Sequence, residues 1–128
     1  MDNRAISERT QRTWLDEEGI LHAEAVHGAA QTLEDAEACV AFMWEVAGQR
    51  RRPVLIDLRQ ARSMDRATRA YYAGPATASK QIAVGILIES PLSRVLGNFF
   101  LGLNKPIMPT RLFTSEAEAL AWLRGYRE

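Results

Sequence analysis

The residues of this chain most able to do chemistry are concentrated between positions 57 and 69, where four arginines accompany two aspartates. The segment follows an apolar run, residues 54–58, which has the pattern of a strand buried on both faces. Guanidinium groups between a strand end and a helix start are suited to binding an anion or an acidic partner. The alternative is a solvated basic loop and helix face. The residues predicted for this partner or anion surface are Asp57, Arg59, Arg62, Ser63, Asp65, Arg66 and Arg69.

Asp57 and Asp65 bracket this segment and allow two interpretations. Two carboxylates that face one another would form a paired acid–base site. In the structural interpretation, Asp57 accepts backbone N–H groups of the loop and Asp65 caps the following helix. We rank the enzymatic interpretation last, so no catalytic residue is predicted.

Histidine and cysteine do not offer a better site. His22 and His27 are five residues apart on or beside a predicted strand, so they point to opposite faces and cannot bind one metal ion locally. Both are expected at an edge or on the surface. Cys39 lies on the apolar stripe of a predicted helix, where a thiol usually packs as a small hydrophobe. We therefore predict no metal site, no cofactor and no enzymatic activity.

A second candidate surface lies on a predicted helix at residues 92–103. Apolar side chains cover nearly its whole circumference, although a helix that packs on one sheet face needs only one apolar stripe. The surplus must be buried within the monomer, against a second subunit or by an apolar ligand. The residues predicted for this oligomer or apolar-ligand surface are Leu92, Val95, Leu96, Phe99, Phe100 and Leu103.

Composition restricts the kinds of partner. Lysine plus arginine and aspartate plus glutamate number 16 each, so the chain lacks the basic excess expected of a nucleic-acid binder. The single cysteine excludes an internal disulfide and fits a reducing compartment. No segment has the pattern of a signal peptide or the length of a membrane span. We expect a cytoplasmic protein that does not bind nucleic acid and does not span a membrane.

The 128 residues are predicted to form one domain at 12–128, preceded by a flexible arm at 1–11. The element order is strand, strand, helix, and then strand followed by helix three times. Strands that alternate with helices of this length predict an α/β fold. We expect a mixed, mostly parallel sheet of about five strands and about four helices.

Local signals place the elements. Two β-prone runs on either side of residues 17–19 predict a hairpin, and Thr32 predicts the N-cap of the first helix, with Gly48 just beyond its end. Ser63 or Asp65 is expected to open a second helix. A second buried strand is predicted at residues 82–88, where Gly85 indicates a bulge or a close approach by another element. Ser115 and Glu118 form the capping-box pattern that opens the last helix.

The centre of the sequence resembles the SpoIIAA-like fold shared by STAS domains, which occur in sulfate transporters and anti-sigma-factor antagonists. STAS domains carry a strand ending in Asp-Leu, a few residues, and then a hydrophobic-Asp-Ser-Ser-Gly segment that opens a helix. Here Ile56-Asp57-Leu58 and Met64-Asp65 match that frame with the right separation. The phosphorylated serine of the antagonists falls on Ala67, the preceding serine on Arg66 and the glycine on Thr68.

The C-terminal half is similar to a bacterial group of small STAS-like proteins of unassigned function, at residues 90–94, 97–106 and 111–115. The resemblance implies a non-enzymatic regulatory or protein-interaction module that lacks the matching phosphorylatable serine. We expect a protein partner, not identified by the sequence, and a homodimer. The alternative is a carrier or sensor of a small apolar or anionic ligand.

Overall fold

The computed structural model of the chain describes residues 4–7, 10–26, 28–89 and 108–127. The strands are Arg4–Ser7 (β1), Gln11–Leu15 (β2), Leu21–Ala25 (β3), Ala29–Gln31 (β4), Arg52–Asp57 (β5), Ala61–Met64 (β6), Gln81–Leu87 (β7) and Thr110–Phe113 (β8). The helices are Leu33–Val46 (α1), Arg66–Ala73 (α2), Pro75–Ala78 (α3) and Glu116–Arg124 (α4). The predicted helix at 92–103, with the whole surface predicted on it, lies outside the described residues, as does His27.

Six of the described strands form one sheet in the order β1-β2-β3-β5-β7-β8. The pairs β1–β2 and β2–β3 are antiparallel, whereas β3–β5, β5–β7 and β7–β8 are parallel. The predicted α/β class and the mixed, mostly parallel sheet are thus confirmed, with six strands where about five were expected. Strand β1 falls within the segment for which we predicted a flexible arm, and the domain limits stay predictions.

The first hairpin and the first helix form where the local signals place them. Gly19 adopts φ +82° in the turn between β2 and β3, a conformation that favours glycine. Thr32 caps α1 in a reciprocal capping box: its Oγ1 accepts the Asp35 N–H at 3.3 Å, and Asp35 Oδ2 accepts the Thr32 N–H at 3.1 Å. Gly48 follows the C-cap with φ +73°, as the sequence predicted.

Strands β5 and β7 are buried because hydrophobic clusters cover both of their faces. The cluster that includes α1 contains Met43, Ala47, Val54, Val84 and Ile86. The cluster that includes α4 contains Leu55, Leu87, Phe113, Ala119 and Leu123. At Gly85 an added Cβ would lie 3.4 Å from Leu123 Cδ1 and from Phe113 Cε2, so this glycine marks a close approach, one of its two predicted roles.

A small second sheet was not predicted. β4 and β6 pair in parallel, with Ala30 opposite Ser63 and Gln31 opposite Met64. The element order predicted from the sequence has no strand at residues 28–31, and Ser63 was one of two candidates to open the second helix. In the structure Ser63 lies within β6, and Asp65 is the N-cap of α2. Strands of three and four residues are too short to show a periodicity, and each depends on the other for its backbone hydrogen bonds.

The helices in the described ranges include none with both the length and the apolar character needed to cross a bilayer.

Candidate functional site

Asp57 ends β5 and is only 7% exposed, so its carboxylate needs partners within the chain. Oδ1 accepts the backbone N–H of Arg59 and its Nε–H, each at 3.0 Å. Oδ2 accepts from Arg59 Nη2 at 2.8 Å, which completes a bidentate ion pair. The structural interpretation of Asp57, as an acceptor of a loop N–H, is confirmed.

Arg59 joins the end of β5 to the start of α4. Its Nη2 also lies 3.4 Å from Oε1 of Glu116. The hydrogen bond to Asp57, assisted by the negative charges of Asp57, Glu116 and Glu89, raises the pKa of the Arg59 guanidinium despite partial desolvation. Arg59 therefore uses its charge inside the chain, and it is a poor candidate for the predicted contact with a partner.

Asp65 is the N-cap of α2 and has different partners from Asp57. Its Oδ1 accepts the Thr68 N–H at 2.8 Å and the Thr68 hydroxyl at 2.6 Å. These bonds, the hydroxyl first, lower the pKa of the Asp65 carboxyl, and the charge of Arg69 adds to the effect. Among the described residues no hydrogen bond joins Asp57 to Asp65. The geometry of a paired acid–base site is therefore not observed there.

The remaining residues of the predicted surface lie along β6 and the start of α2. Arg62, Ser63 and Arg66 are exposed, and Arg69 is half-buried. We call these four residues the arginine face. Their three guanidinium groups outnumber the one carboxylate of Asp65, so the face is electropositive, whereas Asp57 and Arg59 lie instead against α4. The structure thus divides the predicted surface into two parts.

A buried polar network supports the arginine face from below. Tyr72 of α2 donates its hydroxyl to Gln31 Oε1 at 2.7 Å, and burial raises the pKa of this phenol. Gln31 Nε2 in turn donates to Thr10 Oγ1 at 3.1 Å and contacts Cys39 Sγ at 3.5 Å. Cys39 is buried, as the apolar stripe of α1 predicted. The role of Gln31 was missed because its partners come from three separate segments: α1, α2 and the turn before β2.

His22 does not lie at an edge or on the surface, so that expectation is wrong. It is buried in β3, between β2 and β5, and its Nε2 lies 2.9 Å from Asp16 Oδ2. Its ring stacks on Trp14 with 4.8 Å between centroids and 13° between planes. The hairpin register, which places Trp14 opposite His22, was the signal that would have revealed this pair. In the part of the chain that is described, no group of three or more His, Cys, Asp or Glu side chains could hold a metal ion.

Solved structures show what this chain is similar to. A crystal structure of an uncharacterized protein of the DUF3478 family from Shewanella loihica PV-4, described as having a SpoIIAA-like fold, matches with a TM-score of 0.60 and 18% identity. The match covers 96% of this chain and 95% of that one, and it confirms the predicted SpoIIAA-like fold. A protein with unknown function from Arthrobacter sp. FB24 is 39% identical over 87% of this chain and 96% of that one, with a TM-score of 0.35.

None of the curated proteins matches the chain. The family model that does match covers residues 13–127, which is nearly all of the domain that the sequence predicted. Its description is a domain of unknown function, DUF7793, and the chain therefore belongs to the DUF7793 family.

Proposed function

We propose that this chain is a non-enzymatic, STAS-like regulatory module that binds an acidic protein partner on the arginine face. The observation that carries the proposal is the exposure of Arg62 and Arg66 on either side of the Asp65 cap. Guanidinium groups carried on an ordered backbone suit the carboxylates of a partner, because binding then orders the arginine side chains but not the backbone. The SpoIIAA-like fold and the match of Ile56-Asp57-Leu58 and Met64-Asp65 to the STAS sequence frame support the proposal.

Hydrogen bonds fix the backbone beneath the arginine face. Thr68 is fully buried, its amide and hydroxyl both bind Asp65, and its Oγ1 lies 3.4 Å from the Gln31 carbonyl oxygen. Tyr72 fastens the next turn of α2 to the Gln31 side chain. The Tyr72 bond therefore attaches α2 to β4, and the Asp65 cap fixes the first turn of α2, which together limit the movement of Arg66 relative to Arg62.

Control by phosphorylation at the position used by the antagonists does not fit these residues. Ala67, which takes that position, is exposed but has no hydroxyl group. Thr68 has a hydroxyl, but it is buried and donates to Asp65. We propose that the partner is bound without a phosphorylation switch at Ala67 or Thr68.

Catalysis by the two aspartates has little support. Asp57 is held by three bonds from Arg59, and Asp65 by two bonds from Thr68. Neither carboxylate is placed to exchange protons with a substrate held between them. The homodimer, the apolar-ligand alternative and the cytoplasmic location stay predictions, and the first two depend on residues 92–103.

A double charge reversal tests the proposal. The variant R62E/R66E and a control, R50E/R111E, change the net charge equally, and all four arginines are exposed. Each protein is immobilised, exposed to a lysate of the native host, and eluted with a salt gradient. We expect the wild type and the control to retain the same acidic protein and R62E/R66E to lose it by about tenfold or more, because like charges placed together in an interface cost several kcal/mol.

The assay also requires that the variants are folded, which circular dichroism and the denaturant midpoint establish. Retention that falls with salt in the wild type identifies charge pairing as its cause. If R62E/R66E retained every protein that the control retains, the arginine face would not be the binding surface.

A further inference from the structure

A cleft of about 420 Å³ lies over β2, β3 and β5, next to the first residues of α4. This volume is within the range of sites that hold small organic molecules. The described residues that line it are Arg12, Trp14, His22, Ala23, Glu24, Leu55, Asp57 and Glu116. We call it the sheet cleft; it shares Asp57 with the surface discussed above but none of the residues of the arginine face.

Negative charge and hydrogen-bond acceptors prevail in the lining. Glu24, Asp57 and Glu116 contribute three carboxylates, whereas Arg12 is the one cationic side chain among the lining residues that the structure describes. Arg12 Nη1 lies 3.2 Å from Glu24 Oε1, in a pair whose side chains are 42% and 33% exposed. Even with Arg59 bound to Asp57 and Glu116, carboxylates outnumber guanidinium groups around the cleft.

His22 adds an acceptor from a buried position. Its side chain is 10% exposed, and Nε2 is used by Asp16 at 2.9 Å. In the neutral tautomer that donates from Nε2 to the carboxylate, Nδ1 is an acceptor. Within the described residues no hydrogen bond to Nδ1 is found. A ring nitrogen without a hydrogen-bond partner among the described residues, next to a cleft that already carries three carboxylates, favours a ligand with several N–H donors.

Apolar groups complete the site. Trp14 stacks on His22 and, with Leu55, supplies the apolar part of the lining. Aromatic rings also attract organic cations through the negative charge of the π face. A carboxylate or phosphate ligand would meet three carboxylates against two guanidinium groups that are already paired with them, and it is therefore disfavoured.

We propose that the sheet cleft binds a small organic cation, an amidinium, guanidinium or ammonium group on a flat or short apolar body. Its N–H groups donate to Glu24, Glu116 and His22 Nδ1, and its body lies beside Trp14. The site goes beyond the interaction role proposed above, since it uses a different surface and a different ligand chemistry.

Three probes of similar shape but different charge test whether the cleft selects a cation. They are benzamidine (a cation), benzamide (neutral) and benzoate (an anion). Each is titrated into the ¹⁵N-labelled chain, and the shifts of the Trp14 indole N–H and the His22 amide are followed by NMR. We expect saturable shifts at both groups with benzamidine, an affinity for benzamide at least about tenfold weaker, and no saturation with benzoate.

Substitutions then locate the site. Glu116→Gln is expected to weaken benzamidine binding by about threefold, as for loss of one partly exposed charge, whereas Glu37→Gln on α1 leaves it unchanged. R62E/R66E is expected to bind benzamidine like the wild type, so this result is independent of the partner experiment. Benzamidine shifts that do not saturate, or benzoate binding as tight as benzamidine binding, would overturn the proposal.

Discussion

Asp57 and Asp65 end two neighbouring strand segments, yet they stand in opposite surroundings. The Asp57 side chain is 9% exposed, ends a strand at the centre of the six-stranded sheet, and is neutralised by a guanidinium. Asp65 is exposed, follows the smaller β4–β6 sheet, and is held by a hydroxyl and an amide. Asp57 therefore pairs with the charge of Arg59 within the chain. Asp65 instead caps a helix, and the neighbouring Arg62 and Arg66 stay exposed.

The difference follows from the strands that precede the two aspartates. β5 is paired with β3 on one side and β7 on the other, and hydrophobic clusters cover both of its faces. β6 is paired with β4, and two of its four residues are exposed. We infer that the Asp57 end is stabilised by the core, whereas the Asp65 end is stabilised mainly by its own hydrogen bonds. Four predictions test that inference.

The largest effect is expected in the strand before Asp57. Leu55 is 2% exposed, and Leu55→Ala is expected to lower the free energy of unfolding by about 2–5 kcal/mol, since it removes apolar contacts and leaves a cavity. Met64→Ala, in the half-buried position before Asp65, is expected to cost clearly less. Urea unfolding of both variants measures the difference. Equal losses would mean that the core supports both ends alike.

The next effect concerns the ion pair. Asp57→Asn keeps the shape of the side chain but removes its charge, and we expect a loss of about 1.5–3 kcal/mol because hydrogen bonds to a charged group in a buried setting are lost. Glu116→Gln changes the other, exposed partner of Arg59 and is expected to cost under about 0.5 kcal/mol. Denaturant titrations compare the two. A larger loss for Glu116→Gln would place the important partner of Arg59 on α4.

The sequence predicted the parts of this fold that rest on local rules. Thr32 and Gly48 mark α1 because caps depend on a few adjacent residues, and the apolar runs that became β5 and β7 are long enough to show burial. The exposure of Arg62 and Arg66 could also be predicted locally, because charged side chains are seldom fully buried unless they are paired.

The missed features depend on contacts between distant residues. β4 and β6 are only three and four residues long, and they are stabilised by pairing across more than 30 positions of the chain, as between Ala30 and Ser63. Arg59 also reaches Glu116 in α4, a contact that no residue near position 59 indicates, although its main partner, Asp57, is only two positions away. The sheet cleft was not foreseen because β2, β3, β5 and α4 meet there only after the sheet has formed.

A smaller effect is expected beneath the arginine face. Thr68→Val has nearly the same shape but removes the hydroxyl that donates to Asp65, and the expected loss is about 1 kcal/mol. Thr114→Val, at an exposed position, serves as the control and is expected to change stability by less than about 0.5 kcal/mol. Thermal unfolding of both variants measures the two losses in stability. An unchanged melting temperature for Thr68→Val would show that the backbone N–H alone is sufficient to hold the cap.

The smallest effect is a change in titration rather than in stability at neutral pH. The Thr68 hydroxyl and amide lower the pKa of the Asp65 carboxyl below the ordinary value of 3.8. Because the pKa is lower in the folded state, the resulting stabilisation is present above the unfolded pKa and is lost as the pH falls through the folded one. An NMR titration of the Asp65 side-chain carbon is expected to give a midpoint below 3.8 in the wild type and one closer to 3.8 in Thr68→Val, with Thr114→Val unchanged. A wild-type midpoint at or above 3.8 would contradict the cap geometry itself, and with it the view that hydrogen bonds from Thr68 hold the Asp65 end in place.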